Sequence, residues 1–521
     1  MAASYHFLLT VTYGFADHVP LNLQGAHVIM LYETDRMRME LADGVATVWL
    51  NGHTTRNLIG REFLLDLDHA LTTAAQSPVV EILVIRSSVV GVFATGPDLN
   101  EVASIARAEQ LREYSELGQK VFQHLSKLRD QIKTVAVIEG RCYDAGLALA
   151  LACQHRIGVA QFECVFRQDT GRTGMPPIWG ETDFLRRELG IHSALKILAG
   201  KPVPAREAAK IGLLNHVYGE RSARTELLWR LSEIKDGTDS WPRRTGARRW
   251  WQRIQESRPF LGRLFRNALA STRSKMAHHI AARSMMHGWT AGTAEALAKE
   301  RAAIESLAQS GEFRIRMNSM GELQEYVLRS QEDAPANQVV LIGSNDWAIE
   351  LATVLLQSGV NPRVLDLSQT PNTRFKVELH RRLTFAAQAG WLNSFDVEKT
   401  VNRTICDRVD FCDLENALIF DARPARNSPH NSMENKMPAS SIFVALDSES
   451  LINSRLSQPG RCAAVSFTPS ISIESTVEIQ PLPETSSNTL HRLTGWLDRC
   501  GFCLNQIPVV EDRTKPAVFA A

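Results

Sequence analysis

The stretch KTVAVIEGRCYDAGLALALACQHRIGVA, residues 133–160, decides the fold. Thr134 to Ile138 reads as a strand, and the small-residue loop 140–148, built around Asp144-Ala145-Gly146, opens a helix. A strand ending in such a loop lets backbone N–H groups converge on one oxygen. Upstream, Phe93-Ala94-Thr95-Gly96-Pro97-Asp98 has the same form. Working outward, Val45 to Leu50 reads as a β-rich run, followed by a polar loop through Arg56-Asn57 and a helical stretch from Phe63 to Ala75. A strand at Ile82 to Arg86 and a long helix from Arg107 to Leu128 come next. Strands alternating with helices predict an α/β layer architecture.

At 521 residues the chain exceeds what one hydrophobic core serves, so two or three domains are expected. With 58 basic and 57 acidic residues, no global field selects nucleic acid or an anionic membrane. Eight cysteines are scattered without paired spacing, and Cys500-Gly501-Phe502-Cys503 is a lone CxxC with no second pair. Scattered thiols of this kind fit a reducing cytoplasm, and no metal is expected. No run reaches the roughly eighteen apolar residues that would span a bilayer, so no integral membrane segment is expected. Residues 1–36 read as an N-terminal extension, with Met37 or Met39 as an alternative start.

The α/β pattern fills residues 37–222, and 223–335 reads as a helical region and linker. Trp241 to Arg266 carries eight arginines among Trp241, Trp250, Trp251, Phe260 and Phe265. Such interleaving can serve nucleic acid or a membrane surface, but an amphipathic helix on a neighbouring domain is the reading favoured here. Polar residues from Arg329 to Asn337 mark the next boundary, and 336–521 alternates again.

VATVWLN, FATGPDLNEV, the 133–160 stretch, GMPPIWGETDFLRRELG and GKPVPAREAAKIGLLNHV stand in the order and spacing of one family. Over roughly 37–220 the chain resembles the crotonase, or enoyl-CoA hydratase/isomerase, superfamily. The resemblance implies a spiral β/α fold and a coenzyme A thioester as ligand. It places the first oxyanion donor at the backbone N–H of Pro97, which has none. Losing one such donor costs about 2.7–4 kcal/mol of transition-state stabilisation. The second donor falls at Ala145, with Gly146 and Arg56 as further acyl-CoA-binding positions. The two glutamates that would hold water map to Ala148 and Thr170, neither of which transfers a proton. Asp144 and Asp169 are the nearby carboxylates, so an isomerase working with one of them is the alternative expectation.

Val339 to Asp366 shows a strand, a turn at Gly343-Ser344-Asn345, a helix and a second strand ending in an acid, the spacing of a dinucleotide fingerprint. Of its three glycines only Gly343 is present; Asn345 stands where pyrophosphate meets bare backbone, and Ala348 replaces the third. NAD binding is therefore doubtful, with Gly343, Asn345, Ala348 and Asp366 as its candidate residues. With FCDLENALIFDARP and the blocks that follow, 338–513 resembles the NAD-binding domain of 3-hydroxyacyl-CoA dehydrogenases, a Rossmann-like doubly wound fold. The resemblance puts the catalytic histidine at or beside Val465, its glutamate partner within one residue of Glu478 and the substrate serine at Glu449 in the Asp447-Ser448-Glu449 turn. Hydride transfer without a base at the hydroxyl is very slow.

The joined order resembles the α subunit of fatty-acid β-oxidation complexes, which implies a thiolase-like partner and lacks here that subunit's C-terminal domains. The expectation is a cytoplasmic acyl-CoA-binding protein of lipid metabolism, catalytically degenerate in both halves, a pseudoenzyme. The alternative is an active isomerase or hydratase whose second half is structural.

Overall fold

The computed structural model describes residues 28–160, 164–219, 223–238, 275–331, 338–365, 373–389, 397–406, 414–423, 437–446, 456–468, 471 and 475–508. The arginine-rich stretch 241–266, Asp366 and the run Asp447-Ser448-Glu449 lie outside these residues.

The apolar runs of the first half become the strands β1 (Ile29–Glu33), β2 (Met37–Ala42), β3 (Val45–Leu50), β4 (Ile82–Ser87), β5 (Val92–Ala94), β6 (Lys133–Ile138), β7 (Arg141–Tyr143), β8 (His155–Ala160), β9 (Val165–Arg167), β10 (Val203–Pro204) and β11 (His216–Gly219). Seven form one sheet in the order β1-β2-β3-β4-β6-β8-β11, and four form a second in the order β10-β9-β7-β5. From β3 to β11 the first sheet is parallel, which is why β6 is buried on both faces after its first residue. The second sheet is made of strands two or three residues long, and it carries both site loops.

β1 falls inside the segment that the sequence set apart as an extension, and that boundary needs correction. β1 pairs antiparallel with β2. Asp66, on the helix Arg61–Gln76, accepts from Tyr32 Oη at 2.8 Å, Thr34 Oγ1 at 3.0 Å and Arg36 Nε at 2.8 Å. Ile29–Glu33 therefore belongs to the first sheet, and residues 34–36 are tied to the helix beside it.

The helical region does not stand apart as a linker either. On the helices Lys275–Ala291, Thr293–Ala308 and Gly311–Ser330, the side chains of Ala281, Met285, Ile304 and Phe313 share one apolar core with Val48 and Ala136 of the first sheet. The last of these helices also reaches the second unit: Met317 lies in the first core, Leu323 in the next, and Met320 packs against both.

Beyond it come β12 (Gln338–Ile342), β13 (Arg363–Leu365), β14 (Ile405–Cys406), β15 (Ala417–Asp421), β16 (Ile442–Ala445), β17 (Cys462–Thr468), β18 (Thr476–Pro481) and β19 (Cys503–Leu504). They form one sheet in the order β14-β13-β12-β15-β16-β17-β18-β19, in which only β17 and β18 run antiparallel. Alternation along β12 sends Val339 and Leu341 into one apolar core and Val340 and Ile342 into the other, so both faces are covered. Among the described residues no helix is long and apolar enough to cross a membrane.

Candidate active site

The first loop leaves β5 through Thr95 and Gly96, whose φ of +104° suits glycine. Ile59 N donates to Gly96 O at 2.9 Å and Asp98 N donates to Ile59 O at 3.0 Å, so the polar backbone on either side of Pro97 is already paired. Asp98 caps the helix Leu99–Ser104 by accepting from Glu101 N at 3.1 Å. The neighbouring Asp98 N–H therefore cannot replace the donor that Pro97 lacks.

The second loop leaves β7 at Asp144, a non-glycine residue with φ +45° and ψ −115°. Such a backbone costs of order 1–3 kcal/mol and persists where its surroundings over-determine it. Asp144 occupies the N-cap position of the helix Ala145–Ala152, yet its side chain makes no cap bond. Its Oδ1 instead accepts from Asp169 N at 2.6 Å. Gly146 lies so near the first loop that a Cβ there would sit 2.4 Å from Ala94 O. Glycine at 146 is what lets the two loops touch.

The two aspartates the sequence singled out are thus brought together, with opposite ionisation. Burial pushes the Asp144 carboxyl up to about 8, and the charge of Asp169 adds to this. Burial works against ionisation of Asp169 as well, but Arg167 and Arg172, at 3.0 and 2.6 Å from its Oδ2, outweigh it and hold the group below the usual carboxylate range. Asp144 is the proton holder of the pair and Asp169 the anion.

These groups line a cavity of about 110 Å³ together with Pro97, Arg56, Arg141 and Tyr143. Ala145, Gly146, Ala148 and Thr170 are all buried and do not line it. The cover comes from elsewhere in the chain. Gln324, on the helix Gly311–Ser330, donates to Pro97 O at 3.2 Å and accepts from Leu99 N at 2.9 Å. Asp498, at the end of the helix Ser487–Arg499 in the second unit, pairs with Arg56 and lies 3.1 Å from Arg141 Nη1. Burial opposes ionisation of Asp498, but the two guanidiniums hold it down to about 2. Beside it, Arg167 Nη1 donates to Cys503 Sγ at 3.4 Å. Arg56, expected to meet acyl-CoA, is therefore engaged by the second unit. Neither Asp498 nor Gln324 carries a sequence signal, because their partners lie 442 and 225 residues away.

A second buried carboxyl pair fastens the helical region. Glu300 accepts from Gly180 N at 2.7 Å and from Thr182 Oγ1, and Glu181 accepts from Trp179 N at 2.8 Å. Burial raises both groups above the ordinary range, and the Glu181 charge raises Glu300 further.

The remaining sequence candidates lie in the second unit. Glu478 is exposed on β18, opposite Ser466, and accepts from Gln506 Nε2 at 3.3 Å. Val465 is buried in the sheet core opposite Ile479. At the candidate dinucleotide turn, Asn345 Oδ1 accepts from Ala348 N at 3.0 Å and its Nδ2 donates to Ala422 O. Arg423 packs on Gly343, 3.3 Å from where a Cβ would stand, and is held by Asp421 at 2.7 Å. One of the helix N–H groups that would receive a phosphate is thus satisfied by the chain itself, which weighs against a pyrophosphate at this turn. Among the described residues no cluster of metal ligands occurs, and neither Cys500 nor Cys503 forms a disulfide.

A family model for enoyl-CoA hydratase/isomerase matches residues 40–240. The crotonyl-CoA hydratase of Syntrophomonas wolfei is 30% identical over 189 residues, 36% of this chain and 70% of that protein. The fatty acid oxidation complex subunit alpha of Shewanella frigidimarina is 32% identical over 177 residues, 34% of this chain, and only 25% of that subunit is spanned. Among solved structures, an enoyl-CoA hydratase from Mycobacterium avium subsp. paratuberculosis aligns with 55% of this chain and 100% of its own, at 19% identity and a TM-score of 0.40. The match to the Syntrophomonas wolfei protein over 70% of its length, with the family model over residues 40–240, makes the chain a member of the enoyl-CoA hydratase/isomerase family.

Proposed function

We propose that this protein binds acyl-CoA thioesters of the fatty-acid β-oxidation type without hydratase or dehydrogenase turnover. The observation that carries the reading is the pair Ala148 and Thr170, fully buried and outside the cavity, where the family resemblance calls for two glutamates. An alanine and a threonine cannot hold and split a water. Pro97 removes a carbonyl donor in addition. In the second unit, the mainly parallel strand order supports a Rossmann-like reading, while the self-capped turn at Asn345 and the apolar Val465 argue against hydride transfer to NAD. A cytoplasmic location rests on the cysteines scattered without paired spacing, and a thiolase-like partner on the sequence resemblance.

One observation favours a second reading, an isomerase acting through Asp144. Its carboxyl lines the cavity and is pushed up to about 8 beside an ionised Asp169, the split that an acid/base residue needs.

The test is to titrate the protein with crotonyl-CoA while following the 2-enoyl absorbance, and to repeat it with a 3-enoyl-CoA and with 3-hydroxybutyryl-CoA plus NAD. Saturable binding with constant absorbance and no NADH is expected. Hydration of crotonyl-CoA overturns the proposal, and 3-enoyl turnover that Asp144→Asn abolishes establishes the isomerase instead.

A further inference from the structure

We propose that the Asp144 carboxyl is a hydrogen-bond donor to the carbonyl oxygen of a bound acyl thioester, filling the role in the first loop that Pro97 leaves without an N–H. This inference rests on the acyl-CoA reading. It concerns polarisation of a carbonyl, which requires no proton transfer, so it is separate from the isomerase alternative.

The geometry is specific. Oδ1 of Asp144 is committed to Asp169 N at 2.6 Å, and Oδ2 has no hydrogen-bond partner among the described residues. Oδ2 lies against the first loop, 3.2 Å from where a Cβ on Gly96 would stand, one residue before Pro97. Asp144 and Pro97 line the same cavity. The free oxygen therefore sits at the first loop, where the amide donor is missing. The backbone at Asp144, φ +45°, is one that glycine adopts without strain, yet a carboxyl is held there.

A carboxyl donates only while it is protonated, and its surroundings arrange this. Burial disfavours the anion first. Asp169, kept ionised by Arg167 and Arg172, faces Asp144 and adds repulsion, and Glu181 adds more. Arg167 opposes them, but its Nη2 is engaged with Asp169. Arg56 and Arg141, the other cations of the cavity, are turned to Asp498, while Tyr143 stacks under Arg167 and Cys503 accepts from it. The neutral acid prevails at pH 7, and the O–H is lost as pH rises through about 8. A neutral carboxylic acid buried in an apolar site is a known way to supply an oxyanion donor.

The probe is crotonyl-CoA carrying carbon-13 at the carbonyl, read by binding titration and difference infrared spectroscopy below and above pH 8. Wild-type protein is expected to shift the carbonyl stretch to lower frequency below pH 8 and to lose both that shift and affinity above it. Asp144→Ala is expected to bind roughly 2- to 10-fold more weakly, with the stretch near its free-solution value. Asp144→Asn, whose amide still donates, is expected to keep binding and shift at both pH values. If Asp144→Ala fails to fold, the comparison of wild type with Asp144→Asn across pH 8 decides alone. A carbonyl shift in wild type that is indifferent to pH, or is retained in Asp144→Ala, overturns the inference while leaving the acyl-CoA reading intact. Absence of crotonyl-CoA binding to wild type at every pH overturns both.

Discussion

Asp498→Ala is expected to destabilise the protein by about 3–5 kcal/mol, because it leaves two guanidiniums behind in a covered site. Arg141 is only 7% exposed, and Arg56 turns its guanidinium to the same carboxylate. Removing one member of a buried ion network exposes the full desolvation cost of those that remain. Urea unfolding followed by tryptophan fluorescence is the check, and the transition should come at lower urea than in wild type. The pH dependence has a definite sign. A carboxyl held down to about 2 stabilises the folded state fully above its unfolded value near 4, and that contribution is lost as pH falls toward 2. The variant should therefore approach wild type in acid. An unchanged midpoint at neutral pH would mean that the second unit does not lean on this contact.

Gly140→Ala is expected to cost about 3 kcal/mol or more and to weaken acyl-CoA binding at the same time. A Cβ at 140 would lie 2.1 Å from Gly91 C and 2.2 Å from Val92 N, and both neighbours are backbone. No rotamer change relieves that overlap, so the start of β5 has to move, at the upper end of what overpacking costs. Because β5 carries the first loop and β7 the second, the shift separates the two halves of the site. Gly146→Ala, which meets Ala94 O at 2.4 Å, is expected to act in the same direction. Thermal unfolding and crotonyl-CoA titration on the same samples test both effects. Loss of stability with undiminished binding would show that the loops need not touch.

The long parallel strands were legible in the sequence because each is a run of β-branched and apolar residues buried on both faces, as in β4 and β6. The second small sheet was not legible, since strands such as Arg141–Tyr143 and Val165–Arg167 are too short to show any period. At the site, that Pro97 has no N–H follows from its residue type, and that a donor is wanted there follows from the family resemblance. The division of labour between Asp144 and Asp169 needed three dimensions, although Arg167 and Arg172 stand only two and three residues from Asp169. The cover formed by Gln324 and Asp498 left no trace in the sequence, because a contact across hundreds of residues imposes no local pattern. The boundary drawn at residue 36 failed for a similar reason: Tyr32, Thr34 and Arg36 gain their role only once Asp66 is folded beside them.

We propose that the site receives an acyl thioester but lacks a working proton carrier. The most direct test is deuterium exchange at the α-carbon of saturating butyryl-CoA in heavy water, followed by nuclear magnetic resonance. The α-protons are expected to exchange no faster than in protein-free solution. Accelerated exchange that Asp144→Asn abolishes would contradict the account.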